Sequence, residues 1–143
     1  MKIKMNYKII GKYIKDLNFS IPSSKTFFLL SKEIANYKIN IDIKSNQMEK
    51  NIIEVLISLS LTPIKNDFEN IKTKIVHATI IEITNEKIEK KEMEQIILID
   101  VPSKIYSELR KIFINLFENS GFKDIKINEN VDFQKLYNMR KVQ

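Results

Sequence analysis

The amino-acid sequence predicts an α+β fold in which a four-stranded antiparallel sheet is followed by a long and a short C-terminal helix. The first half of the chain alternates apolar and polar residues with the two-residue period of half-buried strands. After Pro102 the apolar residues recur at the three- and four-residue spacing of a helix. The chain has only two glycines and three prolines, so each one is useful as a marker of a turn or an element end.

The first predicted strand covers about residues 5–21 and ends at Pro22. Alternation assigns its inner face to Ile9, Tyr13, Leu17, Phe19 and Ile21. The same alternation assigns its outer face to Ile14, Asp16, Asn18 and Ser20. The next segment, PSSKTFFLLSKEIA at 22–35, has no clean period and is predicted to be a connection.

Three further strands are predicted before the helices. YKINIDI at 37–43 alternates strictly, and the polar KSNQMEKN at 44–51 is predicted to be a hairpin loop. Apolar residues at 53, 55, 57, 59 and 61 form the inner face of a third strand, which ends at Pro63. The fourth strand, 71–83, is rich in β-branched residues. Because consecutive strands are usually neighbours, we expect consecutive hairpins.

The remaining chain is predicted to be helical. The charged and then apolar segment at 85–101 can include a short helix, and Ile105, Leu109 and Phe113 lie at helical spacing in the long one. Pro102 suits the first helical turn, and Gly121 suits the position just beyond the last. A short amphipathic helix follows, with Asn130 and Asp132 as capping candidates. We expect residues 1–143 to form one domain.

Composition excludes several classes of site. The net charge of +6 invites a polyanion partner, but all except Arg110 and Arg140 of the 24 basic residues are lysines. The guanidinium fork that holds phosphates and base edges best is therefore scarce, and we expect no nucleic-acid partner. The absence of cysteine excludes disulfides, thiolate catalysis and cysteine-based metal sites. The N-terminal residues lack the apolar core of a signal peptide, so a cytoplasmic protein without membrane insertion is predicted.

No constellation of residues predicts catalysis, a metal or a cofactor. His77 is the only histidine, and a packed or interface histidine is favoured over a catalytic one because no second histidine or cysteine can assist it. The two glycines stand apart, so there is no glycine-rich phosphate loop. The acids between 86 and 94 alternate with lysines, as on a solvated surface. The sequence predicts a protein that is not an enzyme.

Two segments carry more apolar residues than a small core needs. TFFLL, residues 26–30, lies where a polar connection is expected, and it either plugs the core or forms an exposed binding surface. The long helix carries Tyr106, Ile114 and Phe117 in addition to its core-facing residues. A helix that is apolar nearly all round is buried on several sides, which predicts an oligomer interface.

Three blocks of the sequence resemble the SecB family of bacterial protein-export chaperones. YIKDLNFSIP resembles the signature of the family's first strand, with matches at Tyr13, Lys15, Asp16, Phe19 and Pro22. DVPSKIYSELRKI is similar to the start of the family's long helix, with matches at Pro102, Ile105, Tyr106 and Arg110. SGFKDIKINENVDFQKLY resembles the closing pattern, with matches at Gly121, Phe122, Val131, Asp132, Phe133, Leu136 and Tyr137.

The resemblance implies an ATP-independent holdase that binds unfolded precursor proteins and delivers them to the export ATPase SecA. It implies a homotetramer, a dimer of dimers with the long helices at its centre. Its implied client-binding residues are Phe27, Phe28, Leu30, Ile34 and Tyr37. Its implied oligomer interface contains Tyr106, Arg110, Phe113, Ile114 and Phe117.

The implied SecA-docking residues depart from the family pattern. Asp16 matches one of the family's acids, whereas Ser20 and Lys74 stand where two further acids are expected. Two interpretations of Asp16 remain open. It is either a surviving contact to SecA or a local partner for Lys15 or a cross-strand lysine. Two other hypotheses also stay open: a SecB-like chaperone that serves a different partner, such as an antitoxin, and a basic nucleic-acid-binding domain.

Overall fold

A computed structural model describes residues 6–32, 37–63, 71–122 and 127–142. Its elements, in chain order, are β1 (Tyr7–Ser20), α1 (Ser24–Lys32), β2 (Tyr37–Glu49), β3 (Ile52–Pro63), β4 (Lys72–Ile83), α2 (Lys90–Gln95), a π-helical turn (Ile96–Asp100), α3 (Val101–Asn119) and α4 (Phe133–Val142). The four strands form one antiparallel sheet. The predicted α+β class, with a long and a short C-terminal helix after the sheet, is confirmed.

The strand order is β1-β4-β3-β2, so the predicted succession of hairpins is wrong at β1. A tight hairpin joins its strands through a few residues, whereas residues 21–36 separate β1 from β2 and include a helix. That connection is long enough to cross the end of the sheet, and β1 pairs with β4 instead. The predicted hairpin loop at 44–51 is also wrong, because β2 continues to Glu49 and only Lys50 and Asn51 form the turn.

Two β-bulges in β1 break the alternation on which its predicted faces depended. They lie between Ile9 and Gly11 and between Ile14 and Asp16, and each adds one unpaired residue to the strand. As a result Tyr13 pairs with Ala78 on the outer face of the sheet, not on the inner face. Ile14 pairs with His77 on the face that the helices cover, where the sequence predicted an outer position.

The segment predicted as a connection at 22–35 contains α1. Ser23 caps the helix: its hydroxyl oxygen accepts the Thr26 amide at 3.2 Å, and its carbonyl accepts the Phe27 amide at 3.0 Å. Leu30 is fully buried and fixes the helix against the core. The helix therefore depends on a cap and on a few side chains that pack against the rest of the chain, and a period search over so short a segment does not detect it.

The helices α2 and α3 form one path that the π-helical turn interrupts. Pro102 lies at the beginning of α3, as predicted, but α3 continues directly from Asp100 and has no free start. Proline has no amide hydrogen to donate to the carbonyl four residues before it. The carbonyl that lacks this hydrogen bond belongs to the π-helical turn at 96–100, whose wider backbone tolerates the loss. The predicted end of the helix is confirmed, since Gly121 has a φ of 99° and follows α3.

One apolar face of the sheet packs against the helices. Its fully buried centre consists of Val55, Ile57, Leu59, Ile75 and Ile81 of the sheet with Val101, Ile105, Leu109, Phe113 and Phe117 of α3. A helix is about 10 Å wide, whereas four strands about 4.8 Å apart are wider. Helix α3 packs on the central strands β3 and β4. The apolar side chains of the two edge strands are therefore covered less completely.

A polar contact ties the start of β1 to the start of α3. The Tyr7 hydroxyl donates to Asp100 Oδ2 at 2.5 Å and accepts from Lys104 Nζ at 2.9 Å. The Lys104 ammonium also lies 4.9 Å from the centre of the Tyr7 ring. Burial, followed by the hydrogen bond to Asp100, raises the pKa of Tyr7, so the phenol remains a hydrogen-bond donor at neutral pH.

His77 lies in the centre of β4 on the face that the helices cover. It is buried, and its Nδ1 lies 3.5 Å from the Thr79 hydroxyl. Burial lowers the pKa of His77; the Glu108 carboxylate opposes this effect and the Lys12 ammonium adds to it. This buried position agrees with the sequence analysis, which favoured a packed or interface histidine over a catalytic one.

We expect the free energy of unfolding to decrease as the pH falls below about 6.5, where histidine titrates in an unfolded chain. The unfolded chain takes up the proton at a higher pH than the folded chain does, so the stabilisation is complete only above that value. Urea denaturation at pH 7.5 and pH 5.5 measures the difference. Because the chain has one histidine, His77→Gln should abolish most of it, and an equal decrease in that variant would contradict the account.

Candidate functional site

A cluster of aromatic rings lies where α1 packs against the end of α3. Phe27 and Phe122 have ring centres 4.7 Å apart, Phe117 and Phe122 5.7 Å, and Phe19 and Phe117 5.0 Å. The Phe19–Phe117 pair meets edge to face, the arrangement that the ring quadrupoles favour. These contacts fix α1 on the covered side of the sheet.

Gly121 permits this packing. A side chain at that position would lie 3.3 Å from the Phe27 ring, and its φ of 99° is one that other residues rarely adopt. The Phe122 amide donates to the Phe117 carbonyl at 3.0 Å, and the Gly121 amide donates to the Glu118 carbonyl at 3.1 Å. These two bonds close α3 and turn Phe122 back toward Phe27.

The implied client-binding residues fall into three groups. Phe28 is 61% exposed on α1, and the half-buried Phe27 ring lies 5.7 Å from it. The sequence left open whether TFFLL plugs the core or forms an exposed surface. Leu30 is fully buried in the core, whereas Phe28 lies on the surface. Ile34 lies outside the described residues. Tyr37 begins β2, and its side chain is also outside the described part.

An open groove runs along β2 between the sheet and the helical layer. One cavity of about 660 Å³ lies between β2 and α4, lined by Ile39, Ile41, Val131, Leu136 and Met139 among others. A second, of about 560 Å³, lies farther along the strand between Ile43 and the segment Glu94–Leu98. We call these two cavities together the β2 groove. Sequence reasoning assigned one of its lining residues, Tyr106, to an oligomer interface and none of them to client binding.

Hydrogen bonds hold the helical side of the β2 groove in place. The Tyr106 hydroxyl donates to the Asn128 carbonyl at 2.7 Å, and the Tyr137 hydroxyl donates to Glu94 Oε1 at 3.0 Å. The Asp132 carboxylate accepts the Lys135 amide at 3.0 Å, which confirms Asp132 as the cap of α4. Helix α4 is thus fixed along the strand, while Leu136 and Met139 remain exposed beside it.

The strand on the other side of the groove is an edge of the sheet. Within the described ranges, β2 pairs only with β3, so its second row of backbone amides and carbonyls has no strand partner there. Ile39, Ile41 and Ile43 are half-buried on the side that faces the helices. An unpaired edge beside apolar side chains can accept an extended segment as an additional strand.

The implied oligomer residues lie mostly inside this one chain. Tyr106, Phe113 and Phe117 are buried in its own core. Arg110 donates from Nε to the Ile127 carbonyl at 3.0 Å, and Ile114 is half-buried. The large exposed apolar residues of the other edge strand, β1, are Ile10, Tyr13, Ile14 and Leu17.

The implied SecA-docking residues share one surface, the outer face of the sheet. Asp16 pairs in register with Val76, and Lys74 pairs with Asn18 one step farther along β1. The side chains of Asp16, Ser20 and Lys74 are exposed. Among the described residues Asp16 forms no ion pair, and Lys15 instead reaches Glu54 Oε1 at 3.4 Å. The proposed local pairing of Asp16 with Lys15 is therefore not observed.

Comparison with known proteins adds the family. The family model described as preprotein translocase subunit SecB matches residues 2–143. The chain belongs to the SecB family. A relative from Pelagibacter ubique (strain HTCC1062), a putative protein-export protein SecB, is 40% identical over 135 residues, covering 94% of this chain and 96% of its own. The protein-export protein SecB of Cupriavidus taiwanensis is 27% identical over 134 residues, covering 94% and 76%.

A solved structure supports the same fold for this SecB-family chain. A SecB-like chaperone of Mycobacterium tuberculosis, solved in complex with a ChAD peptide from an antitoxin, superposes with a TM-score of 0.66. The two sequences are 10% identical, and the match covers 88% of each chain. Among the described residues of the chain, no helix is both long and apolar enough to cross a membrane. In the same residues, no cluster of three or more metal-ligating side chains occurs.

Proposed function

We propose that this chain is a holdase chaperone for protein export, which binds unfolded precursor proteins without ATP and delivers them to SecA. The observation that carries the proposal is the β2 groove, two open cavities with apolar and polar lining along a sheet edge that has no second strand partner among the described residues. Family membership supports the export role. In this proposal the chain works in the cytoplasm, needs no cofactor and catalyses no reaction.

The β2 groove suits an extended client with little demand on its sequence. The β2 residues that line the groove lie between Ile39 and Asn46, and at about 3.3 Å per residue this stretch accommodates a client segment of roughly eight residues. Apolar burial supplies about 25 cal/mol per Å² regardless of residue order. Main-chain hydrogen bonds to the β2 edge would add affinity that does not depend on side chains.

Phe27 and Phe28 extend this apolar surface beyond the groove in the proposal. Helix α1 belongs to the connection that crosses from the end of β1 to the start of β2. The exposed Phe28 ring would contact the client directly, while Phe27 would hold α1 against Phe122. Leu30 would act only through the core.

The homotetramer, a dimer of dimers, is also part of the proposal. Helix α3 retains Ile114 and Arg110 as partly accessible positions, but Tyr106, Phe113 and Phe117 are already packed within the chain. The exposed Ile14 and Leu17 on the edge strand β1 are a second apolar surface that assembly would cover. We propose that α3 and β1 both contribute to subunit contacts.

An alternative within the same family is a SecB-like chaperone that serves a different partner. The solved chaperone from Mycobacterium tuberculosis carries an antitoxin peptide. The β2 groove would hold such a peptide by the same physical means, so the groove alone does not choose between partners. The partner must therefore be determined by the chemistry of the docking surface.

We expect Phe28→Ser to weaken client binding while leaving the fold intact. Burial of one phenylalanine is worth about 1.5–3 kcal/mol, so the Kd for an unfolded client should rise by about ten- to a hundredfold. An exposed side chain contributes little to folding. Suppression of aggregation of a reduced, unfolded client measures the loss. Met48→Ser is the matched control, since Met48 is 56% exposed and lies outside the lining of both cavities. Equal losses in both variants would contradict the assignment.

Native mass spectrometry with and without SecA tests assembly and delivery together. We expect four copies of the chain alone and a larger complex when SecA is added, because α3 and β1 present apolar surface that a single chain leaves open. A stable monomer would contradict the assembly. A tetramer that suppresses aggregation but does not retain SecA would favour the alternative partner.

A further inference from the structure

The geometry points to an acidic protein segment as the ligand of the outer sheet face, bound at the end that carries Lys38 and Lys74. We call this surface the Lys38–Lys74 patch; it also contains Asn18, Asn40 and Ser60, which lie between or beside the two lysines. The inference deepens the proposed function and rests on it in one respect, namely that the outer face is where the delivery partner docks.

The charges at the other end of the outer face are satisfied within the chain. The Tyr13 hydroxyl donates to the buried Glu54 carboxylate across β4, where the small Ala78 leaves room for the contact. Lys15 Nζ and Asn46 Nδ2 each lie 3.4 Å from Glu54 Oε1. The hydrogen bond from Tyr13 lowers the pKa of Glu54 against the opposing effect of burial, so the carboxylate stays charged.

Two more ion pairs neutralise that half of the face. Lys8 Nζ lies 3.3 Å from Glu82 Oε1, and Lys44 Nζ lies 4.0 Å from Asp42 Oδ2. Charges that already have partners gain little from a new one, because the first interaction must be weakened. This half of the face is therefore a poor place to attract a charged partner.

The Lys38–Lys74 patch differs because its cations lack acidic partners. In the part of the chain that the structure describes, neither Lys38 nor Lys74 has a carboxylate within 4.0 Å, and both side chains are exposed. Lys74 pairs in register with Ser60, Ser60 pairs with Asn40, and Lys38 lies two residues from Asn40. The backbone positions of the two lysines are two inter-strand spacings apart across the sheet and two residues apart along the strand. Together these separations give a distance of about 12 Å.

This spacing fits a protein ligand better than a nucleic acid. Carboxylates three or four residues apart on an extended segment span about the same distance, and the neutral amides and hydroxyl between the lysines can bond its backbone. Asp16 borders the patch, and it would repel a continuous row of phosphates, which offers it no cation. Asp16 would instead accept a cation of the partner and so set the position of the bound segment.

A fluorescein-labelled peptide of alternating Glu and Ser is the probe for this surface. We expect the double variant Lys38→Glu, Lys74→Glu to raise the Kd for the peptide about tenfold at low ionic strength. The matched control is Lys87→Glu, Lys111→Glu, which makes the same change in net charge at exposed lysines outside the sheet, in the turn before α2 and in α3. It should alter the Kd less than about twofold, and Asp16→Asn should tighten binding of this wholly acidic peptide about twofold.

Equal weakening in the two double variants would overturn the inference, because net charge alone would then explain binding. Binding of polyuridine that is tighter than binding of the peptide and is lost in the Lys38→Glu, Lys74→Glu variant would overturn it in favour of nucleic acid. Aggregation assays on the same proteins separate this result from the holdase proposal. The patch variant should still protect clients, and a wild-type chain that binds the peptide but protects no client contradicts only the holdase.

Discussion

The structure depends on a mismatch between the width of its sheet and the width of the helix that covers it. Helix α3 buries the apolar face of the two central strands, β3 and β4, where five apolar side chains of the sheet are fully buried. One helix cannot cover four strands, so the apolar side chains of β1 and β2 remain partly open on opposite sides of it. Molecules that cover these two margins would remove apolar surface from water and give the sheet edges partners, which favours binding there.

The two margins and the outer face suggest three separate tasks for one small chain. The β2 margin, with α4 held beside it by Tyr137 and Glu94, is open enough for exchangeable clients. The β1 margin, with Ile14 and Leu17, suits permanent coverage by another subunit. On the outer face, the described residues Lys38 and Lys74 have no carboxylate within 4.0 Å, and such charges suit a partner that must bind and leave. The proposed chaperone cycle needs all three surfaces at once.

Sequence reasoning predicts best where one local rule decides. The pairing of β3 with β4 has no bulge, so the two-residue period predicted for β3 holds, and Gly121 follows the end of α3 with a φ that other residues rarely adopt. It fails at Tyr13, since a bulge leaves no mark in the residue pattern. The sequence predicts the short amphipathic helix that carries Leu136, but the β2 groove beside it depends on which strand lies at the edge of the sheet. That choice is made by long-range pairing, which no local pattern records.

Hydrogen exchange of the backbone amides, followed with and without an unfolded client, tests the central claim that clients lie along β2. The account predicts that client binding slows exchange in β2 between residues 38 and 46 and in α4, since these elements form the two walls of the groove. Exchange in the central strands β3 and β4 should not change, because their amides are already bonded within the sheet. Slowing confined to β1, with β2 unaffected at saturating client, would contradict the account.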